Sequence, residues 1–338
     1  MGIGELMALL AAGTVACSSV LNKYLTRRMA TVSLNATRTT GAATFLLVLY
    51  FAVGAADDLP SVDYRGLALI VAGGLITTLL GDTIFLRYLR TVDVAKASTM
   101  AQALNTLLMV GAGALLLDEN VTRFTLLGTA LVVTGIYMLG QTGASATEPG
   151  KGLLNPRKFL TLLFIVLLWV TGVGLMREGL REVDPFTGNA ARMVVIAAFL
   201  ITALGMQQGQ KLTAEVSGHG RERRIAQPNV AYHPSPETHH PRPAGAGAPV
   251  RALHPRGPRL NRANVGLGIL SGSLSLGLGT TFMFVALKEA GAAVTMVIFN
   301  AQLLILAPLS MIVLRERLSV RAGIGILVTM GGIIIVMI

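Results

Sequence analysis

The chain is poor in almost everything a soluble enzyme uses. Of its 338 residues only 13% are charged and 5% aromatic, with a single cysteine, Cys17, and a single tryptophan, Trp169. One cysteine excludes an intramolecular disulfide framework. Because Cys17 lies inside an apolar segment, it reads as a small packing residue. All five histidines fall between His219 and His254, so none sits in or beside an apolar segment. Without such histidines, clustered carboxylates or a nucleophile beside a base, the sequence offers no metal site and no catalytic site, and no cofactor is expected. The short apolar core and small-residue cleavage site of a secretory leader are missing as well. The first apolar segment, after Glu5, runs on to spanning length and is expected to be an uncleaved insertion signal.

What the chain has instead is apolar surface. At 53% hydrophobic residues and a mean hydropathy of +0.65, it carries more than one soluble core could hide. The expected class is an all-α integral membrane protein with ten spans: 6–21, 34–53, 66–86, 97–117, 124–140, 159–175, 186–204, 265–287, 290–314 and 322–338. The runs are continuous and not alternating, which favours helices over barrel strands. The net charge of +11 is no sign of nucleic-acid binding, because residues 206–262 alone hold nine Lys/Arg against three Asp/Glu.

A repeat organises the chain. Residues 1–140 carry five segments, 141–158 are a polar linker, and 159–338 carry five more, interrupted by the insertion 206–262. Aligned, Lys23 falls on Arg177, Arg38 on Arg192, Gly81 on Gly279, Gln102 on Asn300 and Glu119 on Glu316. Each of those glutamates is followed by glycines nine and sixteen residues on, Gly128 and Gly135 in one copy and Gly325 and Gly332 in the other, a spacing that keeps both near one helix face. An odd number of spans per copy forces the second copy to enter from the opposite side. The halves are therefore expected to be inverted repeats, an architecture suited to alternating access and hence to transport.

Loops after odd-numbered segments hold 22 Lys/Arg and those after even-numbered ones six, which places both termini outside and the 206–262 loop in the cytoplasm. That loop holds eight of the 13 prolines and almost no aromatic residue, a composition expected to be disordered. Its histidine spacings match no defined metal site, and its basic stretch from Arg251 to Arg262 suits anionic headgroups. Two rival functions follow from the composition. One is a membrane enzyme, which the missing catalytic groups disfavour, and the other is a scaffold or sensor acting through the basic insertion.

The residues just named resemble EamA-type members of the drug/metabolite transporter superfamily. The shared pattern is a basic residue ending the first helix of each repeat, an arginine opening the second, and the Glu–Gly–Gly series. The second repeat adds Pro185 seven residues before Arg192, Ala286-Leu287, and Pro308 eight before Glu316. The first repeat departs with Thr31 and Gly111 at the proline positions, and the usual short connection before the eighth helix is replaced by the insertion. The resemblance implies a ten-helix secondary transporter in the cell membrane with a cavity lined by helices 1, 3, 4, 6, 8 and 9. It further implies a small metabolite such as an amino acid as solute and, from the glycine-bearing helices, a homodimer contact.

Candidate site residues come from polar groups inside spans. Asp82 costs on the order of 3 kcal/mol at membrane depth and is a functional candidate by default, for a coupling proton or a cationic group, with Arg87 or Arg90 as nearby partners. Gln102, Asn105, Asn300 and Gln302 are amides suited to a zwitterion or to helix–helix hydrogen bonds. Trp169 lies mid-segment as a cavity wall or a packing residue. Lys23, Arg38, Arg177 and Arg192 are placed at segment ends, either snorkelling to headgroups or charging the cavity mouths. Glu119 and Glu316, at opposite membrane faces, are expected to brace the two ends of the bundle.

Overall fold

A computed structural model of the chain describes residues 2–26, 28, 29, 31–52, 63–88, 92, 94–140, 156–203, 205, 261–306 and 320–338. Among them there is no strand. The helices are α1 (Ile3–Thr26), α2 (Thr31–Ala52), α3 (Tyr64–Leu75, continued through Ile76–Gly81 and Asp82–Tyr88), α4 (Val94–Leu116), α5 (Arg123–Gly140), α6 (Pro156–Gly179) and α7 (Pro185–Ala203). They are followed by α8 (Arg262–Gly272 and Ser273–Gly279, continuing from Thr280), by α9 beyond a kink at Gly291, and by α10 (Val320–Val336). Among the described residues, six helical stretches are long and apolar enough to cross a membrane, one of them the 45-residue run Arg262–Leu306 that contains the kink. Val48, Phe51, Leu127, Phe164, Phe199 and Leu327 point outward. An apolar exterior of this extent is a surface for lipid.

Local chemistry sets several helix ends. Pro185, with no N–H to satisfy, stands at the first position of α7, and the Asp184 carboxylate accepts from Phe186 N at 2.9 Å and Thr187 N at 3.0 Å. Asn261 caps α8 by accepting from Ala263 N, so Arg262, expected to end the insertion, opens a helix. Pro156 likewise starts α6 inside the expected linker.

The two halves interleave. α1 packs on α8 and α6 on α3, so the first helix of each half lies against the third helix of the other. Matching glycines allow this. A Cβ on Gly66 would lie 2.9 Å from Gly179 O, and one on Gly172 would lie 2.6 Å from Gly73 O. At the matching positions of α1 and α8, Ser18 and Ser271 share a 2.7 Å hydroxyl hydrogen bond.

α5 and α10 cross in the same reciprocal way. Gly128 faces Gly332 and Gly135 faces Gly325. A Cβ on Gly332 would lie 2.6 Å from Gly128 O, and one on Gly325 would lie 2.9 Å from Gly135 O. The repeated glycines thus meet each other within one chain and pack the fifth and tenth helices close, as their shared helix face suggested. Helices that must approach this closely can do so only where neither carries a side chain.

Both α3 and α8 are broken by a π-helical stretch, at matching positions: Ile76–Gly81 and Ser273–Gly279. A π turn inserts one extra residue per turn, shifts the side chains that follow around the axis and leaves carbonyls to be satisfied from outside. Around the second stretch Asn189, fully buried on α7, does this. Its Nδ2 donates to Gly277 O at 3.0 Å, Leu276 O at 3.2 Å and Thr281 Oγ1 at 2.9 Å.

Candidate functional site

Asp82 is the first residue after the α3 π stretch. Its Oδ1 accepts from Trp169 Nε1 of α6 at 3.0 Å, and the Trp169 ring meets Phe85 edge-on at 5.0 Å. Gly81 makes room for the indole: a Cβ there would lie 2.6 Å from Trp169 Nε1. The expected partner Arg87 is exposed and makes no ion pair with Asp82, because five residues along a helix turn the side chain about 140° away. Arg90 lies outside the described residues. The charges that act on Asp82 are those of Arg38 on α2 and Arg192 on α7. Asp82 is itself solvent-accessible, although helices from both halves supply its indole partner and its two cations.

The two arginines, at matching positions, are more deeply set than a snorkelling side chain. Arg192 is 6% exposed. Its stem lies against Gly74, where a Cβ would come within 2.5 Å of Cγ and Cδ; its guanidinium lies over the Phe284 ring at 5.0 Å; and Nη1 donates to the Met176 sulfur at 3.3 Å. Its Nε is buried with no partner. Arg38 is half-buried, its backbone packed on Gly272, the counterpart of Gly74. Its Nη2 donates to Ser275 Oγ at 3.2 Å, and the hydroxyls continue: Ser271 Oγ donates to Asn22 Oδ1 at 2.7 Å. Arg38 Nε is also buried and unpartnered.

The amides take two courses. Gln102 Nε2 donates to Asn300 Oδ1 at 3.0 Å, and Asn300 Nδ2 donates to Thr106 Oγ1 at 3.0 Å and Met296 O at 2.7 Å. The two residues that the repeat superposes therefore bond each other across α4 and α9, and Asn300 is fully buried. Asn105, one residue before Thr106, keeps a buried Oδ1 with no partner. Gln302 is half-buried.

Glu119 caps α9. The chain leaves α4 through Asp118, whose φ is 52°. The Glu119 carboxylate then accepts from Ala292 N at 2.6 Å and Ala293 N at 2.9 Å, the first N–H groups of α9 after Gly291, and pairs with Arg177 Nε at 3.4 Å. A carboxylate on orphan helix N–H groups both satisfies them and meets the positive end of the helix dipole. Arg177, expected at a cavity mouth or snorkelling, is held in this cluster with 16% of its side chain exposed. Glu316 lies outside the described residues, as does the side chain of Lys23.

Sequence reasoning missed the π stretches, Asn189, Phe284 and Met176. The polar Asn189 three residues before Arg192 was the one signal available; nothing in the sequence marks a methionine or phenylalanine as the neighbour of an arginine.

Among solved structures, 28 chains match, one of them titled simply as the crystal structure of a protein. It superposes with a TM-score of 0.67 over 99% of this chain and 98% of its own length at 14% identity, which shows a shared fold. No curated relative matches the sequence. The family model for the EamA-like transporter family matches residues 2–141 and 247–338, well over half of the chain. The protein belongs to the EamA-like transporter family.

Proposed function

We propose that the protein is a secondary transporter that exports small polar, amino-acid-like solutes by alternating access. In this reading ten helices form two inverted five-helix repeats in the plasma membrane, with the 206–262 loop in the cytoplasm. The observation that carries it is the placement of Asp82: a solvent-accessible carboxylate at the break of a helix, beside two arginines contributed from both halves. Broken helices around a charged site between repeats are how inverted-repeat transporters hold solute. The matched π stretches and the reciprocal α5–α10 crossing support the pseudo-two-fold arrangement.

Asp82 is suited to carry a coupling proton, since a carboxylate in a space that alternates between two compartments can exchange with each in turn. Glu119, on the α9 N-terminus, is one of two closures, and its counterpart Glu316 is the other. Reconstituted proteoliposomes test the reading directly. Amino-acid flux driven by a proton gradient is expected, and a protein that moves none across a broad metabolite panel would sink it. A reporter fused at Ala246 is expected to read as cytoplasmic; an extracytoplasmic signal reverses the orientation.

A further inference from the structure

Arg192 has more donors than the protein satisfies. A guanidinium has five N–H groups, and those of Arg192 find only a thioether sulfur, a weak acceptor, and the face of an aromatic ring. No oxygen acceptor among the described residues answers it, and its Nε is buried without a partner. Holding a charge 6% exposed in that setting is costly unless an anion completes it. Asp82 is the anion at hand, yet no described ion pair joins it to either arginine, and its Oδ1 is taken by Trp169. With Asp82 ionised the cluster Arg38, Arg192 and Asp82 therefore carries one net positive charge, and of the three groups only Asp82 is exposed. Gly74 and Gly272 carry no side chain where the two arginines pack.

We propose that Arg192, with Arg38 as the second cation, binds the carboxylate of the transported solute, and that the solute's ammonium group lies toward Asp82. The proposal rests on the transporter reading above and specifies which charged groups of the solute that site recognises. The two arginines divide the work. Each keeps an unpartnered Nε, but among the described residues Arg38 already donates to a hydroxyl and chiefly supplies field, whereas Arg192 has no oxygen partner and supplies hydrogen bonds. A purely structural arginine that no anion pairs can give way to an apolar side chain of similar length, because the change removes an uncompensated buried charge. A binding arginine is not replaceable in that way.

Trp169, the only tryptophan, reports from beside Asp82. Its emission, the melting temperature in detergent and flux in proteoliposomes are measured for the full chain with leucine, glutamine and threonine, with their amides, and with isoamylamine. The amino acids are expected to bind, and the amides and the amine to bind at least roughly 30-fold more weakly, the lower end of what leaving a buried charge unpaired costs. Arg192→Gln is expected to abolish that preference. Arg192→Met is expected to melt no lower than the native protein while losing amino-acid binding, which separates loss of the site from loss of the fold. If amides bind as well as acids, or either variant keeps the acid preference, the proposal is overturned while transport stands. If none of these probes binds or moves, the transporter reading fails and the proposal with it.

Discussion

The crossing of α5 with α10 and the pair of π breaks are both places where one half of the chain meets its counterpart, and they differ in kind. At the crossing the halves are equals: Gly128 takes Gly332 and Gly135 takes Gly325, each contact mirrored by the other. At the breaks only the backbone is equal. After Gly81 come Asp82 and the indole of Trp169; after Gly279 come Thr280, whose hydroxyl returns to Ser275 O at 3.2 Å, and Val15 in the position matching the indole. The frame is duplicated and the chemistry is single. On the proposed transporter reading, the duplicated frame is what lets two shapes interconvert, and the one asymmetric charge cluster is the site that both share.

That contrast can be broken or sharpened by substitution. The largest effect is expected at the crossing. Gly135→Leu forces a side chain against the backbone of α10 and should cost about 3 kcal/mol, at the upper end for overpacking, as a fall in melting temperature. Gly323→Leu, with nothing within 4 Å, should change it little; equal losses at both would show that the close approach is not what holds the helices. Next, Glu119→Ala removes two charge-assisted bonds to α9 and should cost about 2 kcal/mol. Glu316→Ala should match it if the second copy is used as the first, and no loss there would mark the ends as unequal.

Asp82→Asn is expected to leave melting unchanged and lower proton-coupled flux at least about tenfold, equivalent to about 1.4 kcal/mol. Thr280→Asp in that background should not restore it, since Val15 offers no hydrogen bond; rescue would mean the two breaks are interchangeable. The smallest effect is expected of Trp169→Phe, which removes one hydrogen bond to Asp82 and should cost about 1 kcal/mol in stability.

How much of this was legible followed from how local each cause is. Helices and their apolar faces depend on neighbouring residues, and the repeat is a comparison of the chain with itself, so both could be read. Glu119 and its glycines were found for that reason, and the close packing of α5 on α10 that the glycines suggested is what the structure has. The partners of Asp82 and Arg192 are tertiary. Trp169 is 87 positions from Asp82, and helix periodicity near Asp82 pointed to Arg87 on the wrong side of the axis. The π stretches were invisible because their residues, Ile-Thr-Thr-Leu-Leu-Gly and Ser-Leu-Ser-Leu-Gly-Leu-Gly, make an ordinary apolar helix by composition. The depth of Arg192 depends on Gly74 two helices' packing away, and terminal position alone suggested a side chain reaching for the surface.

The kink at Gly291 governs more than a local angle. Continued straight, the 45-residue run from Arg262 to Leu306 would be about 67 Å long, more than twice the roughly 30 Å of hydrocarbon it must fit. It is broken by a kink at one residue whose φ of 81° only glycine adopts readily, and whose missing Cβ leaves room for the Glu119 carboxylate. A side chain at Gly291 would meet the Glu119 carboxylate within 2.8 Å, so one substitution would both strain the turn and push from α9 the anion that satisfies its first N–H groups.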